Sequence, residues 1–179
     1  MFLDIETTGL NANSGMLIAI GMILPNKEEK IIFVEEPRKE KECIKEFLEI
    51  VKKFKDEEWI VWYSKFDIPF LVTRCIKHGI DASILYELKF IDLCKLFQEH
   101  LKFSSNKLDE VSRFFGIEKK LELTGRDMQL LYLQFLKGDR KAKQTIISHC
   151  LDDLKALEKV YEKVKPYLKF WLNKNSRFI

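Results

Sequence analysis

The chain has 179 residues, of which 46% are hydrophobic and 33% are charged. This composition excludes a disordered chain, and 7 glycines with 4 prolines exclude a collagen-like or low-complexity one. The formal net charge of +3 permits a nucleic-acid partner but does not by itself indicate one. We therefore expect one main domain with a substantial hydrophobic core.

The cysteine pattern and the hydropathy pattern indicate where such a chain would work. The four cysteines form no CxxC pair, so the spacing typical of zinc and thioredoxin sites is absent. Acidic residues near the start argue against a secretory signal peptide, and no apolar run approaches the ~20 residues of a membrane span. We expect a soluble, reduced, cytoplasmic protein with no membrane partner.

Strand-like and helix-like segments alternate in the first part of the chain, and the later part is helical. The predicted strands cover residues 1–6, 16–24, 30–35, 59–62 and 89–91. The predicted helices cover residues 38–55, 70–77, 92–100, 107–115, 126–136 and 140–164. Pro166 limits the last helix, so we expect a domain over residues 1–165 and a tail over 166–179. The order predicts an α/β fold of three layers, in which three antiparallel strands are followed by two parallel ones.

Two acidic residues lie on the first predicted strand. Side chains two residues apart on a strand share a face, so Asp4 and Glu6 project side by side. Two neighbouring carboxylates repel each other unless protons or cations neutralise them. The pattern permits either a metal site or a solvated edge strand, although the apolar neighbours Leu3 and Ile5 favour a central strand.

A third acidic residue, Asp67, follows the short strand over residues 59–62 and opens a helix. Acidic residues are favoured at helix starts and Pro69 fits a first turn, so this motif alone favours a helix cap. Tyr63, four residues earlier, could stack on a base or pack against the apolar strand, and packing is the commoner fate of such an aromatic residue.

The long final helix carries two adjacent acids with different surroundings. On a helical wheel, Asp153 falls on the shoulder of the apolar stripe, and His149 lies one turn earlier on the same shoulder. Asp152 lies nearly opposite, on a solvated face. A partly buried carboxylate is costly unless it is paired or metal-bound. The simpler alternative is an isolated ion pair between His149 and Asp153 along the helix.

Taken together, the order of these motifs resembles the DEDD superfamily of 3′–5′ exonucleases, which has the RNase H-like fold. The matching segments are residues 4–9 (DIETTG), 66–71 (FDIPFL) and 149–153 (HCLDD). The third segment is similar to a prokaryotic branch of predicted RNase H-like exonucleases with a His-x-x-x-Asp motif. The resemblance extends from the start of the chain to about residue 164.

The resemblance implies a metal-dependent nuclease that acts on single-stranded DNA or RNA 3′ ends and releases nucleoside 5′-monophosphates. It implies that Asp4, Glu6 and Asp153 hold one Mg²⁺ or Mn²⁺ ion, and that Asp4, with Asp67 through water, holds a second. His149 would be the general base that takes a proton from the attacking water, since an imidazole titrates near neutral pH.

Three residues are predicted to bind substrate: Thr7 through its backbone N–H to the terminal nucleotide, Tyr63, and Lys65. Two positions depart from the family pattern. Tyr63 stands where the superfamily often has Asn, which questions the usual contact near the scissile phosphate. His149 stands at the spacing that the tyrosine-type third motif uses.

The tail over residues 166–179 interleaves aromatic and basic residues. This composition suits single-stranded nucleic acid, but it also suits an arm that docks on the domain or on a protein partner. Docking is favoured, because the apolar side chains would otherwise form a large exposed patch. Two alternatives to the exonuclease stay open: a nucleic-acid-binding module with weak or lost activity, and a domain that recruits a partner through the tail.

Overall fold

A computed structural model describes residues 1–121 and 123–173. Its centre is a five-stranded sheet in the order β3-β2-β1-β4-β5. The first three strands are antiparallel neighbours, and β4 and β5 extend the sheet in parallel. The predicted mixed sheet is therefore confirmed. The strands are β1 (Phe2–Thr7), β2 (Leu17–Ile23), β3 (Glu29–Phe33), β4 (Glu58–Val61) and β5 (Lys89–Asp92).

Helices cover both faces of the sheet and give the predicted three layers. They are α1 (Glu40–Lys53), α2 (Ser64–Lys77), α3 (Leu93–His100), α4 (Leu108–Phe114), α5 (Gly125–Leu136) and α6 (Arg140–Trp171), with 3₁₀ turns at Pro37–Lys39 and Ser83–Tyr86. Apolar side chains of α1 and α2 form one buried cluster with the sheet. Those of α3, α4 and α6 form a second cluster on the opposite face.

The central strand β1 divides its side chains between these two clusters. Leu3 and Ile5 pack into the cluster under α1 and α2, whereas Phe2 packs into the cluster under α6. Because side chains alternate along a strand, Asp4 and Glu6 share the α6 face with Phe2. The charged residues of β1 therefore project toward the helix that carries the third sequence motif.

Gly21 allows α6 to approach the sheet closely at this point. It lies opposite Asp4 in the antiparallel ladder between β1 and β2. A Cβ atom at position 21 would lie 2.4 Å from Cys150 Sγ and 2.8 Å from Leu154 Cδ1, both on α6. Real Cβ atoms essentially never come that close, so a larger residue at Gly21 would push α6 away from Asp4.

A buried ion pair fixes the connection between β1 and β2. Glu40 and Arg74 have side chains only 1% and 3% exposed, and Arg74 Nη2 lies 2.5 Å from Glu40 Oε2. Arg74 Nη1 donates to the carbonyl oxygens of Ala12 and Gly15, and the Leu17 N–H donates to Glu40 Oε1. This network ties the connection to α1 and α2.

We expect Arg74→Met to lower the free energy of unfolding by about 3–5 kcal/mol, because it leaves the Glu40 carboxylate buried without its guanidinium partner. Urea unfolding of the metal-free protein measures the loss. The exposed Lys77 on the same helix offers a matched control, and Lys77→Met should change stability by less than about 0.5 kcal/mol. Similar values for both variants would contradict this role of the ion pair.

Two predicted helix boundaries are wrong. Helix α2 begins at Ser64, six residues before the predicted start, and its N-cap is Tyr63. Asp67 thus lies within the first turn and is not the cap. Helix α6 continues through Pro166 to Trp171. Burial of Leu168 and stacking of Trp171 on His100 stabilise the final turns, and they offset the hydrogen bond that a proline cannot make.

The predicted boundary at residue 166 consequently falls inside α6. The first residues of the predicted tail pack on the domain through Leu168 and Trp171, while Phe170 stays 56% exposed. Residues 174–179 lie outside the described part of the chain. A protein partner for the tail stays a prediction. Within residues 1–121 and 123–173, no helix combines the length and the apolar character needed to cross a bilayer.

Candidate active site

Acidic side chains from three elements converge beyond the paired end of β4. Strand β1 pairs with β4 at Phe2 and Ile60, and β4 ends at Val61, so the later part of β1 runs past its parallel neighbour. Helix α2 starts in this opening and α6 crosses it from the other face. A pocket of about 270 Å³ results. Its lining includes the four predicted metal ligands Asp4, Glu6, Asp67 and Asp153.

His149 lies between the acids of β1 and the acid of α6. Its Nε2 is 3.8 Å from Glu6 Oε1, and its Nδ1 is 3.9 Å from Asp153 Oδ1. Both distances exceed a hydrogen bond, and Nδ1 has no hydrogen-bond partner among the described residues. The side chain is only 8% exposed. The ring is therefore held beside the carboxylates without being tied to one of them.

Burial and mutual repulsion hold protons on these carboxyl groups. Burial raises the pKa of Asp4 to about 8, and the neighbouring charge of Asp153 acts in the same direction. Burial, followed by the charge of Asp4, also raises the pKa of Glu6 and the pKa of Asp67 well above their ordinary values. The carboxyl groups of this pocket therefore cannot all be ionised unless a bound cation compensates their negative charge.

Lys119, a residue that the sequence analysis missed, lies against this cluster. Its Nζ is 2.5 Å from Asp153 Oδ1 and also pairs with Asp109, and its side chain is only 5% exposed. Burial lowers the pKa of Lys119, but the charges of Asp153 and Asp109 outweigh burial and raise it. Lys119 belongs to the connection between α4 and α5, where no periodicity signals a buried position.

Cys150 completes a compact group of possible ligand atoms with Asp4 and Glu6, all within 4.8 Å of one another. Its Sγ lies 3.7 Å from Asp4 Oδ2. Burial, together with the charge of Asp4, raises the pKa of the thiol well above its ordinary value, so the thiol stays protonated. The available ligands are therefore carboxylate oxygens, which suit Mg²⁺ or Mn²⁺ better than soft metals.

Comparisons with known proteins place this chain in a family. Residues 1–165 match the profile of the RNase H superfamily. The chain belongs to the RNase H superfamily. An uncharacterized protein of Methanocaldococcus jannaschii is 30% identical over 167 residues, which cover 89% of this chain and 92% of that protein.

A solved structure of the family B DNA polymerase from the hyperthermophilic archaeon Pyrobaculum calidifontis has a similar fold, with a TM-score of 0.80 and 20% sequence identity. The match covers 94% of this chain but 25% of the polymerase chain, so it bears on the fold alone. Together with the profile match, it confirms the predicted RNase H-like fold.

Membership of the RNase H superfamily supports a nuclease-type activity on nucleic acid. Nucleases of this superfamily generally use divalent metal ions, and the cluster of Asp4, Glu6 and Cys150 is a possible site for one. The burial and raised pKa values of the carboxyl groups fit such an ion, because a bound cation would stabilise their charged forms.

The three predicted substrate-binding residues of this RNase H domain lie in different places. Tyr63 lines the carboxylate pocket. Thr7 ends β1, is buried, and donates its hydroxyl to the Gly9 carbonyl oxygen at 2.9 Å. Lys65 is exposed and lines a neighbouring pocket with Asn11, so the structure does not place it among the acids. The roles of all three stay predictions.

The metal-free RNase H domain should lose stability as the pH rises from about 4 to about 8. The folded protein keeps a proton on Asp4 up to a pKa of about 8, whereas the unfolded chain releases it near 3.8, so deprotonation favours unfolding across this window. Urea unfolding in EDTA at several pH values measures the trend, and Asp4→Asn should flatten it. A stability that rises with pH in the metal-free protein would contradict this account.

Proposed function

We propose that this chain is a metal-dependent 3′–5′ exonuclease of the DEDD type, which hydrolyses single-stranded DNA or RNA from the 3′ end and releases nucleoside 5′-monophosphates. The observation that carries the proposal is the convergence of Asp4, Glu6, Asp67 and Asp153 in one pocket, with His149 beside them. Their order along the chain is that of the DEDD motifs.

The carboxylates divide into two ligand groups. Asp4, Glu6 and Asp153 would hold one divalent ion, and Asp4 together with Asp67 would hold the second. When bound, two Mg²⁺ or Mn²⁺ ions would activate a water molecule and stabilise the leaving 3′ oxygen. The raised pKa values of Asp4, Glu6 and Asp67 support this assignment, because the pocket needs positive charge to keep these groups ionised.

His149 is the base in this proposal. Its Nδ1 has no hydrogen-bond partner among the described residues and lies 3.9 Å from Asp153 Oδ1. It can accept a proton from a water molecule beside that carboxylate. Imidazole is the side chain whose ordinary titration range is closest to neutral pH, which suits proton transfer in both directions.

We expect His149→Ala to lower the hydrolysis rate by roughly 10²–10⁴-fold, which is the usual contribution of a positioned base. Mn²⁺ affinity, measured by calorimetry, should change little because His149 is not a proposed ligand. The pH dependence of the rate should also lose one inflection in the variant, and this comparison matters because metal-bound water titrates near neutrality too. An unchanged pH profile would reduce His149 to a packing role.

The direct test uses 5′-labelled single-stranded DNA and RNA, incubated with Mg²⁺, Mn²⁺ or EDTA. A metal-dependent ladder that shortens from the 3′ end supports the proposal, and a blocked 3′ end should prevent it. Parallel preparations of Asp4→Asn report any contaminating nuclease. Internal cleavage of a circular single strand would contradict exonuclease action.

A second candidate is a nucleic-acid-binding module that has lost activity. The observation in its favour is Lys119, whose ammonium group already lies 2.5 Å from Asp153 Oδ1 and neutralises part of the cluster. In this case the labelled strands would be retarded in a gel but would stay intact with either metal.

A further inference from the structure

The backbone of Tyr63 has an unusual conformation. Its φ of 71° and ψ of 62° place it in the left-handed region, at the N-cap position of α2. A side chain as large as tyrosine disfavours this region, where glycine or asparagine is commonly found. The residue is 47% exposed, so burial does not explain why the strain persists. Strain of this kind is concentrated at functional sites.

Asp92, at the end of β5, holds Tyr63 in this conformation. Its Oδ1 accepts the Tyr63 N–H at 3.2 Å, and its Oδ2 accepts the Ser64 N–H at 2.9 Å and the Ser64 hydroxyl at 2.7 Å. The same carboxylate caps α3 by accepting the Lys95 N–H. Asp92 thus joins the N-termini of two helices, and it fixes where β4 turns into α2.

Tyr63 lies where two cavities adjoin. It lines the carboxylate pocket, and it also lines an adjoining groove of about 590 Å³. Trp62 lines both cavities too, but its Nε1 donates to the Asn106 carbonyl oxygen and its ring packs against Phe97. Trp62 therefore belongs to the framework, whereas Tyr63 projects from it. The polar residues that line the groove include Gln98, Ser104, Ser105, Asn106 and Lys107, together with the carboxylates of Asp109 and Asp153.

We propose that Tyr63 is a substrate-positioning residue that stacks on the second base from the 3′ end, and that Asp92 positions it. This inference rests on the proposed exonuclease function. With the terminal nucleotide in the carboxylate pocket, we place the preceding nucleotides in the groove, because Tyr63 stands where the two cavities meet. Every base has a face that can stack on an aromatic ring, so the contact would tolerate any sequence.

Two substrates distinguish stacking of Tyr63 on the second base from a role of Tyr63 in phosphodiester hydrolysis itself. The 4-nitrophenyl ester of thymidine 5′-monophosphate has no second nucleotide, whereas a ten-nucleotide oligothymidylate has one. Tyr63→Gly removes the ring with the residue that best tolerates the left-handed region, and it adds no polar group near the scissile phosphate as Asn would. We expect it to raise the KM for the oligonucleotide by roughly 5–100-fold, the range for one lost base stack, and to leave kcat/KM for the ester within about twofold.

Companion variants test the aromatic ring of Tyr63, the backbone strain at this position and the hydrogen bonds that Asp92 accepts. Tyr63→Phe keeps the ring and should behave like the wild type. Tyr63→Gly should also raise the thermal midpoint of the metal-free protein, because glycine adopts this conformation without strain. Asp92→Asn should also raise the oligonucleotide KM selectively. Tyr86→Gly, at an exposed tyrosine on the 3₁₀ turn Ser83–Tyr86, is the matched control for the oligonucleotide KM.

An equal loss on both substrates in Tyr63→Gly, or no change in the oligonucleotide KM, would overturn the proposal. If the wild type hydrolyses neither substrate, the exonuclease proposal fails separately. Tyr63 is then tested by fluorescence anisotropy with a 5′-labelled oligothymidylate in EDTA. The proposal predicts a Kd raised by roughly 5–100-fold in Tyr63→Gly. A Kd equal to that of the wild type, or no binding by the wild type, would overturn it.

Discussion

Replacing Asp4 by Asn should lower the rate of hydrolysis by roughly 10³-fold or more with either Mg²⁺ or Mn²⁺. Asp4 is the one carboxylate assigned to both ions, so its loss removes several kcal/mol of charge stabilisation from the transition state. The fold should not suffer. In the metal-free protein, burial and the charge of Asp153 already disfavour ionised Asp4, and a neutral amide of the same shape relieves that repulsion.

The test of Asp4→Asn therefore has two readouts: turnover on a labelled single strand, and urea unfolding in EDTA. Cys150→Ala is a matched control, because Cys150 Sγ lies 3.7 Å from Asp4 Oδ2 but its protonated thiol is not a proposed ligand. This control should keep most of the activity and lose some stability through the cavity it creates. Wild-type turnover in Asp4→Asn would overturn the metal assignment.

Local periodicity explains how much of the site could be predicted from the sequence. The alternation of a strand was sufficient to put Asp4 and Glu6 on one face, and the period of a helix was sufficient to put His149 and Asp153 on one shoulder. The alternation of strands and helices gave the correct fold class. In each case, the geometry of a single element decides the direction of the side chain.

Features that depend on distant partners could not be predicted in this way. The sequence pattern favoured Asp67 as a helix cap, but α2 begins earlier, at Ser64. That early start depends on Asp92, which accepts the Ser64 N–H from the end of β5 and lies 25 positions after Asp67 in the chain. The pairing of Lys119 with Asp153 joins an aperiodic connection to a helix. The close approach at Gly21 requires knowing that α6 crosses β2 there. Propensity and spacing carry no information about such contacts.

The position of the pocket follows from how the sheet ends. Strand β1 continues to Thr7, whereas β4 stops at Val61, so the carboxyl end of β1 lacks a parallel neighbour. Clefts at the carboxyl ends of strands are the usual binding sites of open α/β sheets. Here the opening admits α2 from one face and α6 from the other, and each contributes an acid. The buried Glu40–Arg74 pair fixes the adjoining connection between β1 and β2.

The two adjacent acids of α6 should differ sharply in their effect on activity. We expect Asp153→Asn to lower the rate by at least about 10²-fold, because it weakens a proposed metal ligand, and Asp152→Asn to stay within a few-fold of the wild type. Asp153 lines the carboxylate pocket. Asp152 instead accepts the Lys120 N–H at 3.1 Å, a contact that the amide oxygen of asparagine can also make. It is half-buried by this contact rather than solvated as the helical wheel predicted.

Each variant of this pair is the control for the other, since both make the same change of charge and shape at neighbouring positions of one helix. A loss of activity caused only by the change in net charge should therefore be similar in Asp152→Asn and Asp153→Asn. Mn²⁺ binding measured by calorimetry supplies a second readout and should weaken in Asp153→Asn alone. In that variant Lys119 keeps Asp109 as its partner, so its ammonium group stays beside the pocket and further opposes a bound cation. Equal losses of activity in Asp152→Asn and Asp153→Asn would show that the side of α6 facing the chemistry has been misassigned.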